Sequence, residues 1–166
     1  MYYSAQIVKE KYPAAKQVFI GPCIAKRKEA KGNPNVDYVM TFEELGSILS
    51  GYEIDFDKVE PYEVETLSVK EAHAFGQSGG VAGAVKAFLG EDVNSLRVAG
   101  MDKKSIALLK SYAKTKKAPA QFLEMMVCPD GCISGPCTYN DSVTGKKQYN
   151  TELDSINDTY ASRREA

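Results

Sequence analysis

Three of the four cysteines in the chain fall within one run, Val127-Cys128-Pro129-Asp130-Gly131-Cys132-Ile133-Ser134-Gly135-Pro136-Cys137. An apolar segment, Phe122-Leu123-Glu124-Met125-Met126-Val127, leads into it, so the thiols sit where a strand gives way to a tight turn. Soft sulfur donors in such a turn suit a thiophilic metal. Cys128 and Cys132 are four residues apart, wider than the C-x-x-C of zinc ribbons and thioredoxin-like redox sites. Pro129 and Gly131 tighten the turn, which can bring both sulfurs to one centre and turn backbone N–H groups toward it. Such groups stabilise anionic sulfur clusters and tune their potential. On spacing alone two other readings stay open: zinc, and reduced cysteines buried for packing. The fourth thiol, Cys23, lies in a similar turn, Gly21-Pro22-Cys23, after the apolar run Val18-Phe19-Ile20. Two strand ends bearing thiols suggest one shared site.

Lys26 and Glu29 follow Cys23 by three and six residues, which puts both on one face if the segment is helical. A cation beside thiolates can hold an anionic ligand or lower a thiol pKa; a solvated charged face is the plainer alternative. Phe75-Gly76-Gln77-Ser78-Gly79-Gly80 is a glycine-rich turn ahead of a small-residue helix. It has neither the Lys of a P-loop nor the G-x-G-x-x-G spacing, so it suits close backbone approach to something bulky better than nucleotide binding. The single histidine, His73, reads as an ordinary surface or core residue.

The elements that must position these groups alternate. Expected helices cover 5–12, 24–31, 42–49, 81–89 and 103–116, and expected strands cover 17–20, 36–40, 96–100 and 122–127. Thr41 with Glu44 forms a capping box, and Ile106, Leu109 and Ala113 are the inward face of the fifth helix. Residues 52–74 read as a surface excursion with one short segment. Lys146 to Arg164 contains a helical pattern through Leu153, Ile156 and Tyr160. This order predicts an α/β fold, a mainly parallel sheet with flanking helices. The 166 residues suit a single domain, with 138–166 as a polar C-terminal extension.

Composition narrows the function. A net charge of −1 gives no electrostatic case for nucleic acid or membrane, and no apolar run approaches the ~20 residues that span a bilayer. With no signal-peptide pattern at the N-terminus the expected compartment is cytoplasmic. Four cysteines in such a chain point to metal or catalysis rather than a disulfide framework. One histidine disfavours a His-rich zinc site or a Ser-His-Asp hydrolase.

Together the motifs resemble the catalytic domain of [FeFe]-hydrogenases, the iron-only hydrogenase large subunits. Pro22-Cys23-x-x-Lys26-x-x-Glu29 matches that family's second cluster motif, and Glu124-x-Met126-x-Cys128-Pro129-x-Gly131-Cys132 its third. Phe75-Gly76-x-Ser78-Gly79-Gly80-Val81 looks like its glycine turn, and 36–45 like the segment between. The likeness covers roughly residues 5–137, with the motifs in the family's order.

The resemblance implies one lobe of an iron hydrogenase catalytic domain and the reversible reduction of protons to dihydrogen. Cys23, Cys128 and Cys132 would ligate a [4Fe–4S] cubane, with Cys132 bridging to a two-iron unit bearing CO and CN⁻. Lys26 would hydrogen-bond a cyanide, Met126 would pack beside the two-iron unit, and Glu29 would belong to the proton route. The family's first cluster motif, T-S-C-C-P, is absent from these residues, and Cys137 has no counterpart. The chain is therefore expected to be a fragment whose missing N-terminal lobe supplies the fourth ligand, and to be inactive alone. A ferredoxin-like electron carrier, or fused iron–sulfur or sensor domains, is the implied partner. The Gly135-Pro136-Cys137 ending is similar to divergent members linked to hydrogen sensing. A non-enzymatic iron–sulfur assembly or carrier protein of the same superfamily, and a structural zinc domain, are the rival readings.

Overall fold

In the computed structural model, which describes residues 1–62 and 68–165, β1 (Val18–Gly21) and β2 (Tyr38–Thr41) run parallel, with Val18 opposite Tyr38 and Gly21 opposite Thr41. A parallel pair needs a crossover, and α2 (Ala25–Lys31) provides it. The chain packs as two compact units, residues 1–63 with 135–139 and residues 64–134 with 140–166, and each is described by itself.

In the first unit α1 (Tyr2–Lys11) precedes β1 and is tied to it by Gln17, whose side-chain amide donates to the Ala5 carbonyl at 3.0 Å. Ala5 is the buried residue of α1; Ile7 and Val8 are exposed, so the helix turns a small residue inward. The expected capping box opens α3 (Phe42–Gly51): the Glu44 N–H donates to Thr41 Oγ1 at 3.2 Å, and the Thr41 N–H to Glu44 Oε2 at 2.8 Å. The helix runs through Gly51, two residues beyond the expected Leu49. The 135–139 segment joins this unit through the Cys137 N–H, which donates to the Pro22 carbonyl at 3.2 Å, and through Tyr139 Oη, which donates to the Glu43 carbonyl at 3.0 Å.

In the second unit the short α4 (Lys70–His73) and α5 (Gly80–Leu89) precede a further parallel pair, β3 (Ser95–Ala99) and β4 (Phe122–Met126), joined by α6 (Lys103–Thr115). The expected excursion across 52–74 falls partly outside the described residues, and α4 is its short segment. On α6 the half-buried positions are Ser105, Leu109 and Tyr112, while Ile106 and Ala113 are exposed. The stripe is rotated because burying the Tyr112 ring removes more apolar surface from water than burying a methyl group. Asp141 caps α7 (Ser142–Ser155), accepting from the N–H groups of Val143 and Thr144 at 2.9 and 3.0 Å. The helical pattern read through Ile156 breaks there: Ile156 is extended and α8 (Tyr160–Glu165) starts afresh. The break is held by the Lys70 N–H donating to the Asp158 carbonyl at 2.7 Å and the Tyr160 N–H to Glu71 at 3.1 Å.

The fold class is thus α/β as expected, with the parallel strands in two separate pairs. None of the described helices is long and apolar enough to cross a membrane.

Candidate metal centre

Cys128 and Cys132 lie in the turn that leaves β4, and local chemistry builds that turn. Gly131 has φ +78°, a left-handed conformation that side chains resist. Its N–H donates to the Cys128 carbonyl at 3.1 Å, closing the loop between the two thiol residues. A Cβ at Gly131 would stand 2.8 Å from the Gly76 carbonyl oxygen, from Met126 Sδ and from the Ser78 nitrogen. Met126 therefore packs its sulfur directly on the residue before Cys132. Ser134 Oγ accepts from the Asp130 N–H at 3.0 Å, and a single 3-10 turn over Cys132–Ser134 follows. Cys128 is half-buried and Cys132 exposed.

The glycine turn lies against this thiol turn. Gln77 and Gly131 form an antiparallel bridge, and the Ser78 N–H donates to the Asp130 carbonyl at 3.2 Å. Arg97 Nη1 donates to the Ser78 carbonyl at 3.3 Å. Glu124 fastens the glycine turn from β4. Its carboxylate, 3 % exposed, accepts from the Gly79 N–H at 2.5 Å and from the Ala82 N–H at 2.8 Å. Gly79 is the N-cap of α5 and has no side chain to cap with, so the strand residue satisfies the helix's orphan donors. Ser78 Oγ is buried with no hydrogen-bond partner among the described residues.

Cys23 stands in the first unit, half-buried after β1 and ahead of α2. Lys26 Nζ lies 2.5 Å from Glu29 Oε2 one helical turn on. That hydrogen bond from Lys26, ahead of opposing desolvation, holds the Glu29 carboxyl below its ordinary value. Cys137 is buried in the same unit and carries a thiol pushed above its ordinary value, first by burial and then by the charge of Glu43, with which it hydrogen-bonds. A raised thiol is a poorer source of thiolate than an exposed one.

The structure therefore joins Cys128, Cys132 and Met126 in one turn, and Cys23, Lys26 and Glu29 at another. Among the described residues no group of three or more His, Cys, Asp or Glu side chains converges as a metal-ion site. The donor chemistry nonetheless fits an iron–sulfur group: two thiols on a glycine-shaped loop, a thioether against it and an orphaned buried hydroxyl on the turn it pairs with. Two contributors had no role assigned from the sequence. Glu124 is the first residue of the third motif and an acidic residue inside an apolar strand, but its two hydrogen bonds to the start of α5 were not read from it. Tyr149 of α7 had no signal: its hydroxyl accepts from the Gly76 N–H at 3.0 Å and donates to the His73 carbonyl.

A family model described as the iron only hydrogenase large subunit, C-terminal domain, matches residues 1–136. Among solved structures the chain is similar to HydA(deltaEFG), described as revealing stepwise [FeFe]-hydrogenase H-cluster assembly. The TM-score is 0.53 at 19 % identity, covering 88 % of this chain and 55 % of that one. At that identity the likeness is one of fold, and the chain spans about half the length of the structure it matches. No curated protein matches.

Proposed function

The chain belongs to the iron-only hydrogenase family, as a C-terminal domain of its large-subunit type, and from that premise we propose that it forms the cluster-binding part of an [FeFe]-hydrogenase-like protein. Cys23, Cys128 and Cys132 would supply three thiolates to a [4Fe–4S] cubane, and a further polypeptide segment the fourth. When bound, the cubane and its two-iron CO/CN⁻ unit supply the electron relay and the centre at which protons and dihydrogen interconvert.

The chain's own residues would hold and serve that group. Gly131 would let Cys128 and Cys132 turn toward one centre, and Met126, whose sulfur packs on Gly131, would lie beside the two-iron unit. Lys26, three residues after Cys23 and paired with Glu29, would offer a charge-assisted hydrogen bond to an anionic ligand. Glu29, whose carboxyl the hydrogen bond from Lys26 holds below its ordinary value, would belong to the proton route. Hydrogen sensing rather than bulk turnover, a cytoplasmic site of action, a ferredoxin-like electron partner and inactivity of these residues alone belong to the same proposal. The observation that carries it is the pairing of the glycine turn with the thiol turn through the Gln77–Gly131 bridge and the Glu124 carboxylate. It joins two motifs that are far apart in sequence.

Anaerobic reconstitution with iron and sulfide tests this. With a small added thiol completing the fourth position, the expected result is a reducible cluster with an electron paramagnetic resonance signal, lost in Cys132→Ala and Cys128→Ala and retained in Cys137→Ala; without it the cluster is expected to be absent or incomplete. Stoichiometric zinc with no charge-transfer absorbance would sink the proposal. In the parent protein, infrared bands of CO and CN⁻ are expected; a cubane without them would favour an assembly or carrier protein instead.

A further inference from the structure

The family match ends at residue 136, and α7 lies beyond it at Ser142–Ser155. One face of this helix nevertheless meets both motif turns of its unit. Lys146 Nζ pairs with Asp130, which sits between Cys128 and Cys132, at 3.1 Å. Tyr149, three residues on and so on the same face, sets its hydroxyl between the His73 carbonyl and the Gly76 N–H. The approach leaves no room for a side chain: a Cβ at Gly76 would stand 2.6 Å from Tyr149 Oη. At Gly145 a Cβ would lie 3.3 Å from Ile133 Cγ2, so the start of the helix packs on the residue after Cys132. Val143, Thr144, Lys147 and Thr151 lie on the exposed side.

Each contact has a defined consequence. Tyr149 fixes Gly76, whose carbonyl is packed against Gly131, and the next residue, Gln77, bridges to Gly131. Lys146 fixes Asp130, whose carbonyl accepts from the Ser78 N–H. Helix, glycine turn and thiol turn thus form a closed ring of contacts. The hydrogen bond from Gly76 joins a half-buried phenol to a backbone group, so its loss leaves a donor unpaired.

We propose that α7 is a positioning clamp: Lys146 and Tyr149 hold the glycine turn and the thiol turn in register, so that the geometry of Cys132 as a ligand depends on a helix outside the family-matched residues. Lys146 and Tyr149 are positioning residues; they act through Asp130 and Gly76. The ligand part of this statement rests on the function proposed above, whereas the register of the two turns does not.

The test uses the full chain with Tyr149→Phe, Lys146→Met and Lys146→Arg. By hydrogen–deuterium exchange of the metal-free protein, the Ser78 and Gly131 amides are expected to exchange roughly fivefold faster in Y149F and K146M. K146R restores protection, and the Glu44 amide of the first unit stays unchanged. After reconstitution, the visible circular dichroism and paramagnetic g-values of the cluster shift in Y149F and K146M and return in K146R. Wild-type exchange at Ser78 and Gly131 in both variants overturns the clamp. Faster exchange with an unshifted cluster signature overturns its role in ligand geometry. If the wild-type chain takes up no cluster, the ligand reading fails, and the exchange contrast still decides whether α7 sets the register.

Discussion

Replacing Glu124 should separate a structural anchor from a chemical one. Its carboxylate is buried and accepts two hydrogen bonds, from the Gly79 and Ala82 N–H groups at the start of α5. A hydrogen bond to a charged group contributes about 1.5–3 kcal/mol, and an orphaned buried donor costs about 1–3 kcal/mol. Favourable placement at a helix N-terminus adds about 0.3–1 kcal/mol. Glu124→Gln keeps one acceptor and points an NH₂ group at the other donor, so it should cost roughly 2 kcal/mol; Glu124→Ala removes both acceptors and should cost roughly 3–5 kcal/mol. For a chain of this size each kcal/mol lowers Tm by roughly 2–4 °C. The chain has no tryptophan, so unfolding is followed by far-ultraviolet circular dichroism. Because two units need not unfold together, exchange at the Ala82 amide is the local readout. It should lose protection in both variants, in the order Ala beyond Gln. E124Q within about 0.5 kcal/mol of wild type, the usual scatter for a surface change, with Ala82 protection intact, would refute the reasoning.

Other expectations follow from the same contacts. Gly131→Ala forces a side chain into a left-handed residue and against Gly76, Met126 and Ser78; a loss of at least about 2 kcal/mol in urea unfolding, with failure to take up a cluster, is expected. The carboxyls of Glu44 and Glu29 are held below their ordinary 4.5, the first chiefly by the Thr41 N–H and the second chiefly by Lys26. The unfolded chain then binds protons first, so their contribution is complete above pH 4.5 and lost as pH falls through the lower folded values. The urea midpoint should fall over that range, and Glu44→Gln should flatten the fall. Peptide-mapped alkylation at pH 8 should modify the exposed Cys132 fastest and Cys137, buried and raised in pKa, slowest; reversed rates would contradict both assignments.

The sequence by itself carried what is local. The Thr41–Glu44 capping box, Gly131 between two thiols and the order of strands and helices are set by neighbours within a few residues, so spacing and residue type were enough. The family likeness rests on those same short motifs. Choices between similar faces were legible only in part: the period of α6 picked out Leu109, which is half-buried, but also Ile106 and Ala113, and only packing selected Ser105 and Tyr112 in their place. Nor did the helical pattern through Ile156 show that Asp158 and Tyr160 would be claimed by Lys70 and Glu71. Tertiary structure alone decided how the site is supported. Glu124 reaches Gly79 across 45 residues, and Tyr149 reaches Gly76 across 73. Contacts of that span leave no periodicity, because a hydrogen bond depends on where two backbones meet and not on the residues between them.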